Sequence, residues 1–165
     1  MKNIVLIGMP GCGKITIGIN LAKKLDLEFC DIDEYIETNE GKSIKDIFKK
    51  GEYYFRGLES KAVKEVVKCS DRIISTGGGV VKLKDNMISL KENGVIIFIN
   101  RPLEHIISDI NIFKRPIIKD GKEKLYSLYK ERYNLYKEYC DIEVLNNTSI
   151  KETVEDILKY VKDYL

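Results

Sequence analysis

The run 3-NIVLIG-8 is apolar at nearly every position and ends in the glycine-rich stretch 8-GMPGCGKITIG-18. A strand that is apolar on both faces needs cover on both sides, so the chain is constrained to a sheet lying between layers of helix. Comparable short runs follow at 28-EFCDI-32, 72-RIIST-76, 95-VIIFIN-100 and 141-DIEVL-145, with amphipathic segments between them. The clearest of these is the last, where Ile150, Val154, Ile157, Leu158, Val161 and Leu165 recur at helical spacing. The alternation predicts an α/β fold, a parallel sheet with helices on both faces. Ligands of such sheets gather beyond the carboxyl ends of the strands, so functional residues are expected just after each run.

A length of 165 residues fits a single domain with a sizeable core. With 33% of residues charged, a net charge of +2 is close to balance and gives no global pull toward nucleic acid or an anionic membrane. Cys12, Cys30, Cys69 and Cys140 are far apart and have no C-x-x-C spacing, which argues against a zinc site or a disulfide framework. A reducing, cytoplasmic setting is the simple expectation. The first apolar run is too short for a signal peptide, and no stretch reaches membrane-spanning length. His105, the only histidine, sits beside Ile106 and Ile107 in a helical pattern, where a bland placement is expected.

Two segments exceed what the sheet needs. Residues 33–68 read as several helices, and residues 109–121 are weakly periodic around Pro116. Both are expected to be insertions over the sheet edge, the kind of segment that binds a substrate or closes as a lid. The remaining segments, 1–32, 69–108 and 122–165, form the core of one domain.

After 3-NIVLIG-8, the glycines Gly8, Gly11 and Gly13 allow successive N–H groups to face inward. Together with the start of the next helix, they make a cradle for a polyphosphate, with Lys14 bridging its outer phosphates. Ile15 stands where the G-x-x-x-x-G-K-[ST] pattern has a magnesium-ligating hydroxyl, and isoleucine cannot ligate. Thr16 is offset by about 100° around the helix, which suits an inner phosphate better than the metal. Because Mg²⁺ takes much of its coordination from water and substrate phosphates, the loop reads as a variant with a weakened metal site.

Asp31 and Asp33 follow the second run, and period-two spacing puts both on one face. One could hold hydrated Mg²⁺ and the other take a proton from an alcohol, with helix capping as the plainer alternative. The glycines 77-GGG-79 allow close backbone approach to a ligand, or form a plain turn. Arg132 lies inside the inward stripe of Leu125, Leu128, Tyr129, Leu135, Tyr136 and Tyr139, so it needs an anion, either an internal carboxylate or a substrate. Arg56 has Glu59 within helical reach. Arg115, in 113-FKRPII-118, suits charge developing on a transferred phosphoryl group. Phe48 and Phe55 read most simply as core.

Taken together, 8-GMPGCGKIT-16, 31-DID-33, 43-SIKDIF-48, 51-GEYYFRGLE-59, 75-STGGG-79, 115-RP-116 and 131-ERYNLY-136 resemble the shikimate kinases, essentially end to end. The resemblance implies a P-loop kinase with a five-stranded parallel sheet, a helical substrate-binding insertion at 33–68 and a lid at 109–121. It implies transfer of the γ-phosphate of ATP to the 3-hydroxyl of shikimate, in aromatic amino-acid biosynthesis, by a monomer. By position, Gly11, Cys12, Gly13, Lys14, Ile15 and Thr16 would hold ATP, and Asp31 would help place Mg²⁺. Asp33 would bind the reacting hydroxyl and act as base, and Arg115 would close onto the transferring phosphate. Arg56 and Arg132 would clamp the shikimate carboxylate, Gly77, Gly78 and Gly79 would offer N–H groups, and Phe48 and Phe55 would line that side. The chain departs from the family at Ile15 and at Ser108, where many members have an adenine-stacking arginine, and matches loosely around Asn146 and Asn147. An impaired shikimate-binding homologue, or a related P-loop kinase with another acceptor, are the alternatives.

Overall fold

The computed structural model describes residues 2–112 and 119–164. In chain order the elements are β1 (Asn3–Ile7), α1 (Lys14–Leu25), β2 (Glu28–Asp31), α2 (Ile32–Glu40), α3 (Ile44–Phe48), α4 (Glu52–Val66) and β3 (Arg72–Ser75). A 3-10 turn (Val80–Lys82) leads into α5 (Lys84–Asn93), β4 (Gly94–Asn100), α6 (Leu103–Ile112), α7 (Lys119–Tyr139), β5 (Ile142–Leu145) and α8 (Ile150–Val161). The strands form one five-stranded sheet in the order β2-β3-β1-β4-β5, and every neighbouring pair is parallel. Each expected strand is present to within a residue at either end.

Every residue of β1 is buried, and β4 is buried from Gly94 to Ile99. That pattern requires apolar cover on both faces. On the helical side, α1 packs on α8 and on β2 and β3, while α5 packs on β4 and α4. Ile150, Val154, Ile157 and Val161 form the inward stripe of α8, whose start is fixed by a reciprocal Ser149–Glu152 capping box. The segment 33–68 contains most of α2 together with α3 and α4, on the side of the edge strand β2.

The strand order places the site. Neighbouring strands β1 and β3 send their connections to opposite sides, β1 to the edge strand β2 and β3 across to β4. The crevice beyond their carboxyl ends is the switch point at which such sheets bind ligands. The glycine-rich loop after β1 and 77-GGG-79 after β3 flank it. Thr76 ties the two strand ends together, donating from both N and Oγ1 to the Leu6 carbonyl at 3.2 and 2.8 Å.

One sequence expectation is corrected. Asp31 and Asp33 do not share the face of a strand, because β2 ends at Asp31 and α2 begins at Ile32. Asp31 is the N-cap of α2, its Oδ1 accepting the Glu34 N–H at 3.0 Å, and Asp33 lies in the first helical turn. Capping interrupts the period-two pattern at this point.

Ile157 is fully buried where α8 meets the core. Ile157→Ala should cost about 2–5 kcal/mol in chemical denaturation. A loss below about 1 kcal/mol would show that α8 is not an integral part of this core.

Candidate active site

The glycine-rich loop is shaped by its carbonyls. Lys14 Nζ donates to the carbonyls of Gly8 and Met9 at 2.8 and 3.0 Å, and Cys12 Sγ lies 3.6 Å away. Arg101 Nη1 donates to the Gly11 carbonyl at 2.9 Å, and Asn146 Nδ2 donates to the Cys12 carbonyl at 2.8 Å. With these four oxygens engaged, the N–H groups of Gly11, Gly13, Lys14, Ile15 and Thr16 donate to nothing within the described protein. Unpaired N–H groups gathered at a helix start form an anion site, strengthened here by the helix dipole and the Lys14 charge. Gly13 sits at φ 101°, and a Cβ there would lie 3.0 Å from Asn146 Nδ2, so the turn requires glycine.

This loop forms one wall of a cavity of about 800 Å³. Gly11, Gly13, Lys14, Ile15 and Thr16 line it, whereas Cys12 turns its buried side chain toward the core. Ile15 is 52% exposed, an apolar side chain on a phosphate-binding wall. One end of the cavity carries Asp31, Asp33, Ser75, Thr76, Gly77 and Gly78, and the other Arg101, His105, Asp109, Asn146, Thr148 and Ile150. Ser108 is exposed and does not line the cavity.

A second cavity, of about 300 Å³, adjoins the first and shares Asp33, Gly77 and Gly78 with it. Phe48, Phe55, Arg56, Gly79 and Arg132 line it, so the structure gathers all the expected acceptor-side residues. The rings of Phe48 and Phe55 stack with centroids 4.5 Å apart. Arg56 Nη1 bonds Glu59 Oε1 at 2.8 Å, and Arg56 Nε bonds Glu52 at 3.3 Å, so the anticipated internal partner of Arg56 is present. Arg132 is only 6% exposed, and its Nε is buried without a hydrogen-bond partner. A buried guanidinium with an unused donor, beside a second guanidinium in an open cavity, is suited to an anionic ligand.

Two carboxylates face each other across the junction of the cavities. Asp33 Oδ1 and Glu59 Oε2 are both buried without partners, and each lies 3.1 Å from where a Gly77 Cβ would sit. Burial, and then the Asp31 charge, push the Asp33 carboxyl from 3.8 to about 6, against the opposing pull of Lys14. Burial likewise raises Glu59 above its ordinary range, although Arg56 pulls it down. At neutral pH Asp33 is therefore mostly ionised but poised to take a proton.

Sequence reasoning gave no role to Arg101, Ser75 or the Tyr136 hydroxyl, placed Asn146 only in a loosely matched adenine region, and treated Glu59 only as a partner for Arg56. Arg101 was one of only five arginines, which was the one available signal. Arg115 lies outside the described residues.

A carboxyl raised on folding favours the folded state below its unfolded value, and that contribution is lost as pH rises through the folded value. Thermal melts of the ligand-free protein in chelator should therefore show Asp33 working against stability as pH rises from about 4 to 6. Asp33→Asn should lessen this slope, leaving the part due to Glu59, and stabilise the protein at neutral pH by up to about 3 kcal/mol. An unchanged slope would mean that Asp33 is not the raised group.

The shikimate kinase family model matches residues 10–162. A shikimate kinase of Clostridium botulinum (strain Alaska E43 / Type E3) is 51% identical over 162 residues, covering 98% of this chain and 98% of its own. That of Clostridium beijerinckii is 48% identical over 166 residues, covering 100% of this chain and 98% of its own. The structure of shikimate kinase from Acinetobacter baumannii in complex with shikimate superposes with a TM-score of 0.91 at 31% identity, covering 99% of this chain and 94% of that one. The chain belongs to the shikimate kinase family.

Proposed function

We propose that this chain transfers the γ-phosphoryl group of ATP to the 3-hydroxyl of shikimate. The observation that carries this reading is the junction of the two cavities. An anion cradle lined by Lys14 opens, at Asp33 and Gly77–Gly78, onto a compartment holding Arg56 and Arg132. A relative bound to shikimate shares this fold closely.

In this reading the triphosphate lies along Gly11–Thr16, and Lys14 exchanges the Gly8 and Met9 carbonyls for the outer phosphates. Arg56, held by Glu59, and the unsatisfied Arg132 take the shikimate carboxylate. Phe48 and Phe55 wall the ring, and Gly77, Gly78 and Gly79 offer N–H groups. The reacting hydroxyl is then held at Asp33. As its oxygen bonds to the γ-phosphorus, its proton passes to the Asp33 carboxylate and the bond to the bridging oxygen breaks, leaving ADP with the electron pair. Residues 33–68 serve as the substrate-binding insertion and residues 109–121 as the lid that excludes water, with Arg115 meeting the charge on the transferred group.

The donor set suits a loosely held Mg²⁺. Ile15 offers no donor, and among the described residues no cluster of three or more His, Cys, Asp or Glu is placed to hold a metal ion. Asp31 keeps an oxygen beyond its cap bond, and directly across the ladder Ser75 Oγ is buried without a partner. These two would hold the ion through water, with the substrate phosphates supplying the rest. When bound, Mg²⁺ neutralises charge on the β- and γ-phosphoryl oxygens. Among the described residues no helix is long and apolar enough to cross a membrane, and a monomer acting in the cytoplasm fits this reading.

ADP formation from ATP should depend on shikimate, and not on quinate-like, sugar or nucleotide acceptors offered in its place. Turnover with another acceptor, but not shikimate, would overturn the assignment. Arg132→Met should weaken shikimate binding by roughly 2–5 kcal/mol in calorimetry while leaving ADP binding intact. Undiminished shikimate affinity would remove Arg132 from the clamp.

A further inference from the structure

The reading above leaves one buried polar contact unused. Tyr136 is 0% exposed on α7, one helical turn after Arg132, and its ring stacks on Phe98 with centroids 5.1 Å apart. Burial pushes its phenol well above the ordinary range, so it remains a hydrogen-bond donor at any working pH. It donates to the Gly78 carbonyl at 2.5 Å. Stacking alone would be served by phenylalanine; the hydroxyl also reaches Met9 Sδ at 3.9 Å and lies beside Arg132, but its short bond is the one to the Gly78 carbonyl.

That carbonyl belongs to the peptide unit joining Gly78 to Gly79. The chain has no cis peptide among its described residues, so the Gly79 N–H points away from the carbonyl and from Tyr136. The N–H groups of Gly78 and Gly79 donate no hydrogen bond within the described protein. The Gly79 backbone lies against the Arg56 guanidinium, close enough that a Cβ there would be 2.2 Å from Nη2. On its other side the turn presses on the phosphate loop, where a Cβ at Gly78 would lie 2.8 Å from Pro10 Cδ. A turn of three glycines has the most backbone freedom in the chain, yet here it is held from three directions.

We propose that Tyr136 is a positioning residue: its hydroxyl fixes the Gly78–Gly79 peptide plane so that the free Gly79 N–H faces the acceptor's anionic group beside Arg56 and Arg132. The proposal rests on the acceptor-site reading above. The hydroxyl supplies the orientation that the glycines lack, and Arg132 and the turn are fixed by one helix. Because the bond to the turn is short and the contact with Met9 of the phosphate loop is long, the larger effect of the hydroxyl falls on the acceptor.

Tyr136→Phe removes the hydroxyl and keeps the stacked ring. Steady-state kinetics of the full chain should show the KM for shikimate rising about tenfold and the KM for ATP rising much less, beside the lower melting temperature that an unpaired Gly78 carbonyl brings. A purely structural hydroxyl would lower the melting temperature and leave the KM for shikimate alone, and that result overturns the proposal. In the unaltered protein, shikimate should shift the Gly79 amide resonance and slow its exchange with solvent. A Gly79 amide that does not respond while shikimate is turned over overturns the positioning role alone. An unaltered protein that neither binds nor phosphorylates shikimate overturns the underlying reading as well.

Discussion

The loop after β1 works because its carbonyls are paired while several of its N–H groups are not. Lys14, Arg101 and Asn146 engage the oxygens of Gly8, Met9, Gly11 and Cys12, and the N–H groups of Gly11, Gly13, Lys14, Ile15 and Thr16 stay unpaired. An anion site built in this way depends on backbone orientation more than on any one side chain. That explains how an apolar Ile15 can stand on the wall without altering the cradle. The side chain at position 15 bears on the metal, whereas the N–H at that position bears on the phosphate.

The acceptor compartment follows a different rule. Its groups are side chains from distant elements, Arg56 and Glu59 from α4, Arg132 from α7 and Asp33 from α2, brought to one turn after β3. Several are left incompletely satisfied: Arg132 Nε, Glu59 Oε2 and Asp33 Oδ1 are all buried without partners. Such groups cost stability in the empty protein and become useful once a ligand meets them. Both compartments share Asp33, Gly77 and Gly78, which link the donor and acceptor geometries.

Much of this was legible in the sequence because the decisive signals are local. Apolar runs gave the strands, glycine spacing gave the phosphate loop, and helical spacing placed Arg132 inside a stripe that packs on the core, with Leu125 and Tyr136 buried and the rest partly so. What was not legible joins residues far apart in the chain. Arg101 reaches Gly11 across 90 positions, Asn146 reaches Cys12 across 134, and Tyr136 reaches Gly78 across 58. No periodicity encodes such contacts, because they exist only after the sheet has brought its strand ends together. The Asp31–Asp33 pair was misread for a local reason: an aspartate that can cap a helix ends a strand pattern early. Glu59 was recognised as a partner for Arg56, but its complete burial against Gly77 depended on the packing of α4.

The central claim is that the phosphate loop functions through its backbone despite Ile15. The most direct test is shikimate-dependent ADP formation across a Mg²⁺ titration, comparing the natural protein with Ile15→Ser. The account predicts that both turn over with similar maximal rates and that the natural protein needs more Mg²⁺ to reach its own. A natural protein silent at every Mg²⁺ concentration, with activity restored in Ile15→Ser, would contradict it.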